Sequence, residues 1–247
     1  MKIIGIKTHK ITQKDKDILK ILNRYIKSLS EKSVVAIASK IVAITEGRII
    51  KIGTIDKDEL IKRESQYYLP RSQNPYNVSL TITGGALVAS AGIDESNGNG
   101  FYILWPKNPQ KSANRIRIWL KSRFNLKNVG VIITDSRITP LRWGVTGFCI
   151  AYSGFEPLKN YIGKKDIFGK KLEFTKLSVV DSLAGGAVMV MGEGNEQTPI
   201  VVIEEIPGIV FQKRNPTKKD LEKIKITIDE DLYAPFLRNA RFKKGDH

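Results

Sequence analysis

Apolar positions along this chain alternate between helical spacing and short continuous runs, and the switches mark its elements. Ile18, Leu22, Tyr25, Ile26 and Leu29 share one face of a helix predicted over 15–29, with Lys16, Lys20, Asn23 and Lys27 opposite. Ser33-Val-Val-Ala-Ile-Ala is a continuous apolar run that suits a buried strand, and Arg48-Ile-Ile-Lys-Ile is a second extended stretch. Residues 57–69 read as an amphipathic helix stopped by Pro70. The runs 78–83 and 86–90 flank Gly84-Gly85, the pattern of a tight hairpin. Ala113, Ile116, Leu120 and Phe124 predict a helix over 110–124. Asn128-Val-Gly-Val-Ile-Ile-Thr-Asp135 is a buried strand ending in polar residues, where α/β layers place their chemistry. A helix over 176–190 leads through a glycine-rich acidic turn to a strand at 199–203, and the chain from Pro216 reads as a short helix and a docking segment. Helices and strands alternate without internal repeats, so the fold class is mixed α/β.

Composition adds limits. The 247 residues are 41% hydrophobic and 27% charged, ordinary values for a globular chain able to bury a core. No apolar run reaches membrane-spanning length and the N-terminus lacks a signal-peptide core, so a cytoplasmic protein with no membrane partner is expected. Cys149 is the single cysteine, and it lies in the apolar run Phe148-Cys-Ile-Ala as a buried filler. His9 and His247 are the only histidines, too few for a histidine-rich zinc site. The net charge of +16 leaves two readings: a polyanion partner, or a lysine-rich enzyme acting on anionic substrates. Basic residues are spread along the chain and no nucleic-acid-binding signature is present, which disfavours nucleic acid.

Three acidic segments follow apolar elements: Ala91-Gly-Ile-Asp-Glu-Ser-Asn97, Ile133-Thr-Asp-Ser-Arg137 and Val190-Met-Gly-Glu-Gly-Asn-Glu-Gln-Thr-Pro199. Carboxylates beside hydroxyls are the oxygen ligands Mg²⁺ and Mn²⁺ prefer, and glycines let backbone N–H groups approach phosphates. The same segments also suit simpler roles. An aspartate at a strand end caps turns, and Met-Gly-Glu-Gly after a helix is a glycine C-cap. Neither a P-loop nor a dinucleotide fingerprint is present. The residues alone give an α/β enzyme with a candidate oxygen-ligand metal site.

The order and wording of these segments resemble the coenzyme F420-0:γ-glutamyl ligase family. Ser39-Lys-Ile-Val…Glu46-Gly-Arg48, the 91–97 segment, Gly130-Val-Ile-Ile-Thr-Asp-Ser136 and Pro140-Leu-Arg-Trp-Gly-Val-Thr146 carry the likeness. It continues in Tyr161-Ile-Gly…Asp166-Ile-Phe-Gly169 and Met191-Gly-Glu-Gly-Asn-Glu-Gln-Thr-Pro199. The resemblance implies a ligase domain over 1–211, followed by a C-terminal extension over 212–247. It implies an intertwined homodimer and an amide-forming reaction between a cofactor carboxylate and L-glutamate through an acyl phosphate. GTP or ATP would be the co-substrate, with Mg²⁺ or Mn²⁺, and K⁺ a further candidate. On the same basis Asp94, Asp135, Ser136 and Glu193 would ligate metal. Ser39, Lys40, Asn97, Met191, Gly192, Glu193, Gly194, Asn195, Glu196, Gln197 and Thr198 would touch the nucleotide, with backbone contacts from Lys10-Ile11. Asp135 and Arg142 are the expected catalytic residues.

Two positions depart from the family's wording. Ile44 stands where a lysine is expected to reach the nucleotide, and Gly147 stands where an aspartate follows Thr146. The changes resemble a divergent branch serving folate metabolism, so folate and F420-0 both remain as acceptors. Trp143 and Phe148 are candidates to stack on a flat heterocycle, with core packing the competing role for Phe148. A nucleic-acid-binding or nucleotide-sensing protein on a relict ligase scaffold is the alternative from another class.

Overall fold

The computed structural model describes residues 1–247. Along it run strands β1 (Lys2–Ile6), β2 (Ser33–Ala38), β3 (Ile49–Lys51), β4 (Tyr67–Tyr68), β5 (Leu80–Thr83), β6 (Ala86–Ala89) and β7 (Phe101–Ile103). They continue with β8 (Val129–Ile138), β9 (Val145–Ser153), β10 (Leu158–Asn160), β11 (Lys176–Ser178), β12 (Ile200–Glu204) and β13 (Lys243–Lys244). The helices are α1 (Ile18–Tyr25), α2 (Ser39–Thr45), α3 (Lys57–Glu64), α4 (Pro109–Phe124), α5 (Val179–Met191), α6 (Lys218–Glu222) and α7 (Ala234–Asn239). None is long and apolar enough to cross a membrane.

Successive side chains of a strand face opposite sides of its sheet, and here both sides are apolar. The central sheet has the order β1-β12-β2-β8-β9, with β2 and β8 parallel and the other neighbours antiparallel. Val35, Ile37, Val131, Ile133, Ile200 and Val202 meet α1, α2 and α4 on one side. Val34, Ala36, Ile132, Val201 and Ile203 meet α5 on the other. Continuous apolar runs are therefore required, and β2, β8 and β12 have them. A smaller sheet of order β13-β4-β5-β6 and the paired β3 and β7 complete the mixed α/β fold.

Local chemistry sets boundaries that periodicity does not show. The helix expected over 15–29 begins at Ile18 because Asp17 caps it, accepting from Leu19 N at 3.0 Å. It ends at Tyr25 because Ile26 is extended, although Ile26 still packs in the core. The helix expected to Leu69 stops at Glu64, where Ser65 turns extended and Tyr67 and Tyr68 pair with β5. Of the helix expected over 176–190, the first three residues pair with β10, and Ser178 caps α5. The hairpin between β5 and β6 stands as expected, with Gly84 and Gly85 at φ +61° and +80°, as a two-residue turn of positive φ requires.

Packing accounts for both departures from the family's wording. Ile44 is buried with Ala43 and Ile103 in an apolar cluster. At Gly147, helix α5 lies directly on β9, and an added Cβ would collide with Ala184 O and the Val188 side chain.

The chain beyond 211 is joined to the central sheet. Buried Arg117 donates from Nε to Val129 O (3.1 Å), from Nη1 to Asn215 Oδ1 (2.8 Å) and from Nη2 to Gln212 O (2.7 Å). Tyr152 donates its hydroxyl to Asp220 O at 2.9 Å. The Asp220 carboxylate is held well below the usual carboxylate range by Arg214, with Thr217 and Lys223 assisting. Farther on, β13 pairs with β4, so the last residues dock on the smaller sheet.

Two stability measurements follow from this packing. Gly147→Asp is expected to lower the unfolding free energy by roughly 2–4 kcal/mol, read from urea denaturation, because the side chain must displace α5 and bury a carboxylate. Arg117→Met is expected to cost roughly 3 kcal/mol, because three backbone and amide acceptors lose charge-assisted donors. It should also make the segment beyond 211 the first site of limited proteolysis.

Candidate active site

Sheet direction brings distant segments together. The carboxyl ends of β2 and β8 lie at the same edge, with Ala38 opposite Thr134, so Ser39-Lys40 emerges beside Asp135-Ser136. Antiparallel β12 starts at that edge, with Ile200 opposite Ile37, so the 192–199 loop arrives there. Ile6 pairs with Ile200, which delivers the segment after β1, and Thr8 N donates to Gln197 O at 2.8 Å. The fourth contribution is the 94–97 turn, anchored by the bridge between Asp94 and Ile103.

Side chains join these segments. Lys40 Nζ lies 2.5 Å from Asp94 Oδ2 and also donates to Ser96 O (3.1 Å) and Ser96 Oγ (3.3 Å). Asp94 Oδ1 accepts from Ser96 N and Ser96 Oγ, each at 2.7 Å. Asn97 Nδ2 donates to Gly194 O at 3.0 Å, tying the 94–97 turn to the glycine loop. Ser136 Oγ donates to Glu193 Oε2 at 3.3 Å. Gly192, at φ +74°, ends α5, and its N–H returns to Val188 O; the glycine C-cap and the loop that lines the site are one feature.

Asp135 is the group most altered by its setting. It sits just past a bulge where Ile133 pairs with Ala151 but Thr134 pairs with Cys149, leaving Ile150 as the extra residue. Such a bulge re-aims the side chains that follow it. Trp105 Nε1 donates to Asp135 Oδ2, and Ser136 N donates to Oδ1 at 2.9 Å. Desolvation pushes the carboxyl up to about 6 against those hydrogen bonds, with the Asp94 charge adding to the rise and Lys40 opposing it. A half-buried carboxylate next to another carboxylate is a site for positive charge.

The donor chemistry suits an oxygen-seeking divalent cation. Asp94, Asp135, Ser136 and Glu193 offer carboxylate and hydroxyl oxygens, and the Lys40 ammonium already occupies Asp94 Oδ2 as a cation would. No three carboxylates converge into a closed cage. Mg²⁺ commonly takes one or two carboxylates and completes its shell with substrate phosphates and water, so an open acidic edge fits it.

Other expected residues lie elsewhere. Arg142 is exposed at the tip of the β8–β9 hairpin and forms no ion pair within the chain. Trp143, 90% exposed, meets only the edge of Tyr76 among aromatic rings, at 6.3 Å between centroids. Phe148 is a core residue: it is buried between Trp105, 6.1 Å away by centroid, and the Arg137 guanidinium, 5.0 Å from its ring. It cannot stack on a substrate from there. Cys149 is buried, and desolvation pushes its thiol far up, so it is no nucleophile. Sequence reasoning missed Trp105 as the residue holding Asp135; its place in Ile-Leu-Trp-Pro directly after β7 was the available signal.

Comparison with known proteins identifies the family. The model of the F420-0:γ-glutamyl ligase family matches residues 5–205. A coenzyme F420:L-glutamate ligase of Methanococcus maripaludis is 34% identical over 223 residues, covering 84% of this chain and 89% of its own. That of Methanosarcina mazei is 37% identical over 191 residues, covering 71% of this chain and 74% of its own. That of Methanopyrus kandleri is 33% identical over 208 residues, covering 77% and 81%. With the match running through all four segments at the acidic edge, this chain belongs to the F420-0:γ-glutamyl ligase family and is a ligase.

Proposed function

We propose that the protein joins L-glutamate to a carboxylate of an F420-type acceptor at the expense of GTP or ATP. The observation that carries this reading is the Lys40–Asp94 ion pair acting on half-buried Asp135, with the Ser136–Glu193 contact and the glycine loop at the same ends of β2, β8 and β12. The relatives' names supply the acceptor and the amino acid.

A carboxylate is a poor acyl donor because its charge repels nucleophiles and oxide is a bad leaving group. In the proposed reaction an acceptor carboxylate oxygen attacks the γ-phosphorus, and the bond from phosphorus to the bridging oxygen breaks, releasing the diphosphate. The glutamate amine then attacks the acyl carbon, phosphate leaves with the C–O electron pair, and the amine loses its proton. Mg²⁺ or Mn²⁺ would neutralise charge on the transferred group, held by Asp94, Asp135, Ser136 and Glu193. Lys40, already poised over Asp94, balances the same charge from the α2 side. The 192–198 loop lines the edge, where Asn195, Glu196, Gln197 and Thr198 would offer backbone N–H groups, and Asn97 fixes this loop through Gly194. Trp105 keeps Asp135 aimed at the edge. K⁺ is a further ion for the anionic groups gathered there. None of these steps needs a histidine or thiol.

A folate-type acceptor is the second reading. It is favoured by Ile44 and Gly147, which remove a lysine and an aspartate that the family's wording leads one to expect.

A second copy of the chain is proposed to cover the exposed apolar side chains Leu141 and Trp143 of the β8–β9 hairpin and Ile167, Phe168 and Phe174 beyond β10. Large apolar side chains left this exposed in two loops suit burial against a partner.

Mass spectrometry of paired reactions tests the chemistry. Protein, Mg²⁺ or Mn²⁺, GTP or ATP, and L-glutamate are mixed with F420-0 in one tube and tetrahydrofolate monoglutamate in another. A gain of one glutamate in the F420-0 tube is expected; a gain only with folate selects the second reading, and no gain in either rejects both. Asp94→Asn and Asp135→Asn should each lower nucleotide turnover at least about 100-fold with the fold retained by circular dichroism. Turnover persisting in both variants would reject the metal assignment. Light scattering is expected to give a dimer for the wild type and a monomer for Trp143→Asp combined with Phe168→Asp.

A further inference from the structure

A cleft of about 610 Å³ has a lining that includes the turn Ile52–Asp56 and the side chains of Lys57, Arg71, Glu95 and Tyr102. The proposed chemistry leaves this space without a task. Its link to the site is the chain itself, because Glu95 directly follows Asp94. Glu95 lines the cleft, whereas Asp94 is paired with Lys40 at the acidic edge.

The charges around it form a definite pattern centred on Tyr102. Lys57 Nζ lies 5.6 Å from the Tyr102 ring centroid and 3.0 Å from Glu95 Oε2. Burial pushes the Tyr102 hydroxyl above its ordinary range, with Glu95 adding to the rise and Arg71 opposing it. The remaining carboxylate, Asp56, is committed to capping α3, accepting from Asp58 N and Glu59 N. The groups able to meet a ligand are therefore two cations, Lys57 and Arg71, and one anion, Glu95. Their present partners are exposed: Arg71 pairs with Asp58 at 2.6 Å and Lys57 with Glu95 at 3.0 Å. Exposed pairs of this kind are worth little and exchange readily.

L-glutamate carries the inverse set, two carboxylates and one ammonium. We propose that this cleft is the subsite for the incoming L-glutamate, resting on the ligase reading above. Arg71 and Lys57 take the two carboxylates, and Glu95 takes the amino group. The polarity also sets orientation. Of the three groups, Glu95 is the one joined to Asp94, so the amine is presented toward the carboxylate being activated and the amino acid side chain points away. Tyr102 forms the buried floor that keeps Lys57 and Glu95 in place.

The test separates this subsite from the reading it rests on. The protein is assayed with GTP or ATP, Mg²⁺, and F420-0 or tetrahydrofolate monoglutamate. Hydroxylamine, a small neutral amine, replaces L-glutamate in parallel tubes and traps the activated carboxylate as a hydroxamate without needing a glutamate subsite. Arg71→Gln and Glu95→Gln are expected to keep hydroxamate formation within about twofold of wild type while raising the KM for L-glutamate at least about tenfold. Arg71→Lys should recover part of that loss, since it restores a charge but not the planar fork. A KM for L-glutamate unchanged in both glutamine variants overturns the subsite, and so does a parallel loss of hydroxamate formation. Wild-type protein that yields neither hydroxamate nor glutamylated product instead rejects the acyl-phosphate reading, and the subsite falls with it.

Discussion

Parallel pairing of β2 with β8 is the constraint on which the site depends. Their shared direction puts Ser39-Lys40 and Asp135-Ser136 at one edge, and antiparallel β12 adds the glycine loop to the same edge. A one-residue slip in the register would invert every buried side chain of the moved strand, and both faces of this sheet are filled by helices. The register is thus held by the whole core, and the charged groups inherit that precision. Glu193 and Lys40, more than 150 residues apart, need no direct bond to each other to stay in one neighbourhood.

How legible each part was depends on what a pattern can encode. β2, β8 and β12 announce themselves because strands covered on both faces must be apolar throughout. Helix α4 is equally plain from its period, and its start is fixed by Asn108 accepting from Lys111 N. Extents were less legible where a single side chain decides them, as Asp17 does for α1 and Ser178 for α5. Much of β9 escaped notice because its first residues are exposed and its apolar run is short. The acidic segments were visible at the ends of apolar runs, but their convergence is a property of sheet order, which composition does not carry. Ile44 and Gly147 read in the sequence alone as marks of a divergent branch; in three dimensions one fills a small core and the other admits a helix.

The strong positive charge of the chain contrasts with the acidity of this edge. The chain carries a net charge of +16, yet at this edge Asp94 pairs with Lys40 and Glu193 accepts from Ser136, with Asp135 beside them on β8. A wide positive field favours the approach of anions, while local carboxylates would suit the cation accompanying the proposed nucleotide. The two scales of charge serve different steps, approach and placement, so a basic protein need not be a nucleic-acid binder.

The position of β12 between β1 and β2 also has a consequence for how the chain comes together. The first strand of the protein bonds only to β12, whose residues are Ile200–Glu204. During synthesis β1 must therefore wait, unpaired, until β12, nearly two hundred residues farther along, has been made. Such a long-range closure slows folding and leaves apolar edges open in the interval. The strand that completes the sheet is also the one that brings the glycine loop to the acidic edge, so this end of the site can form only when the central sheet itself closes.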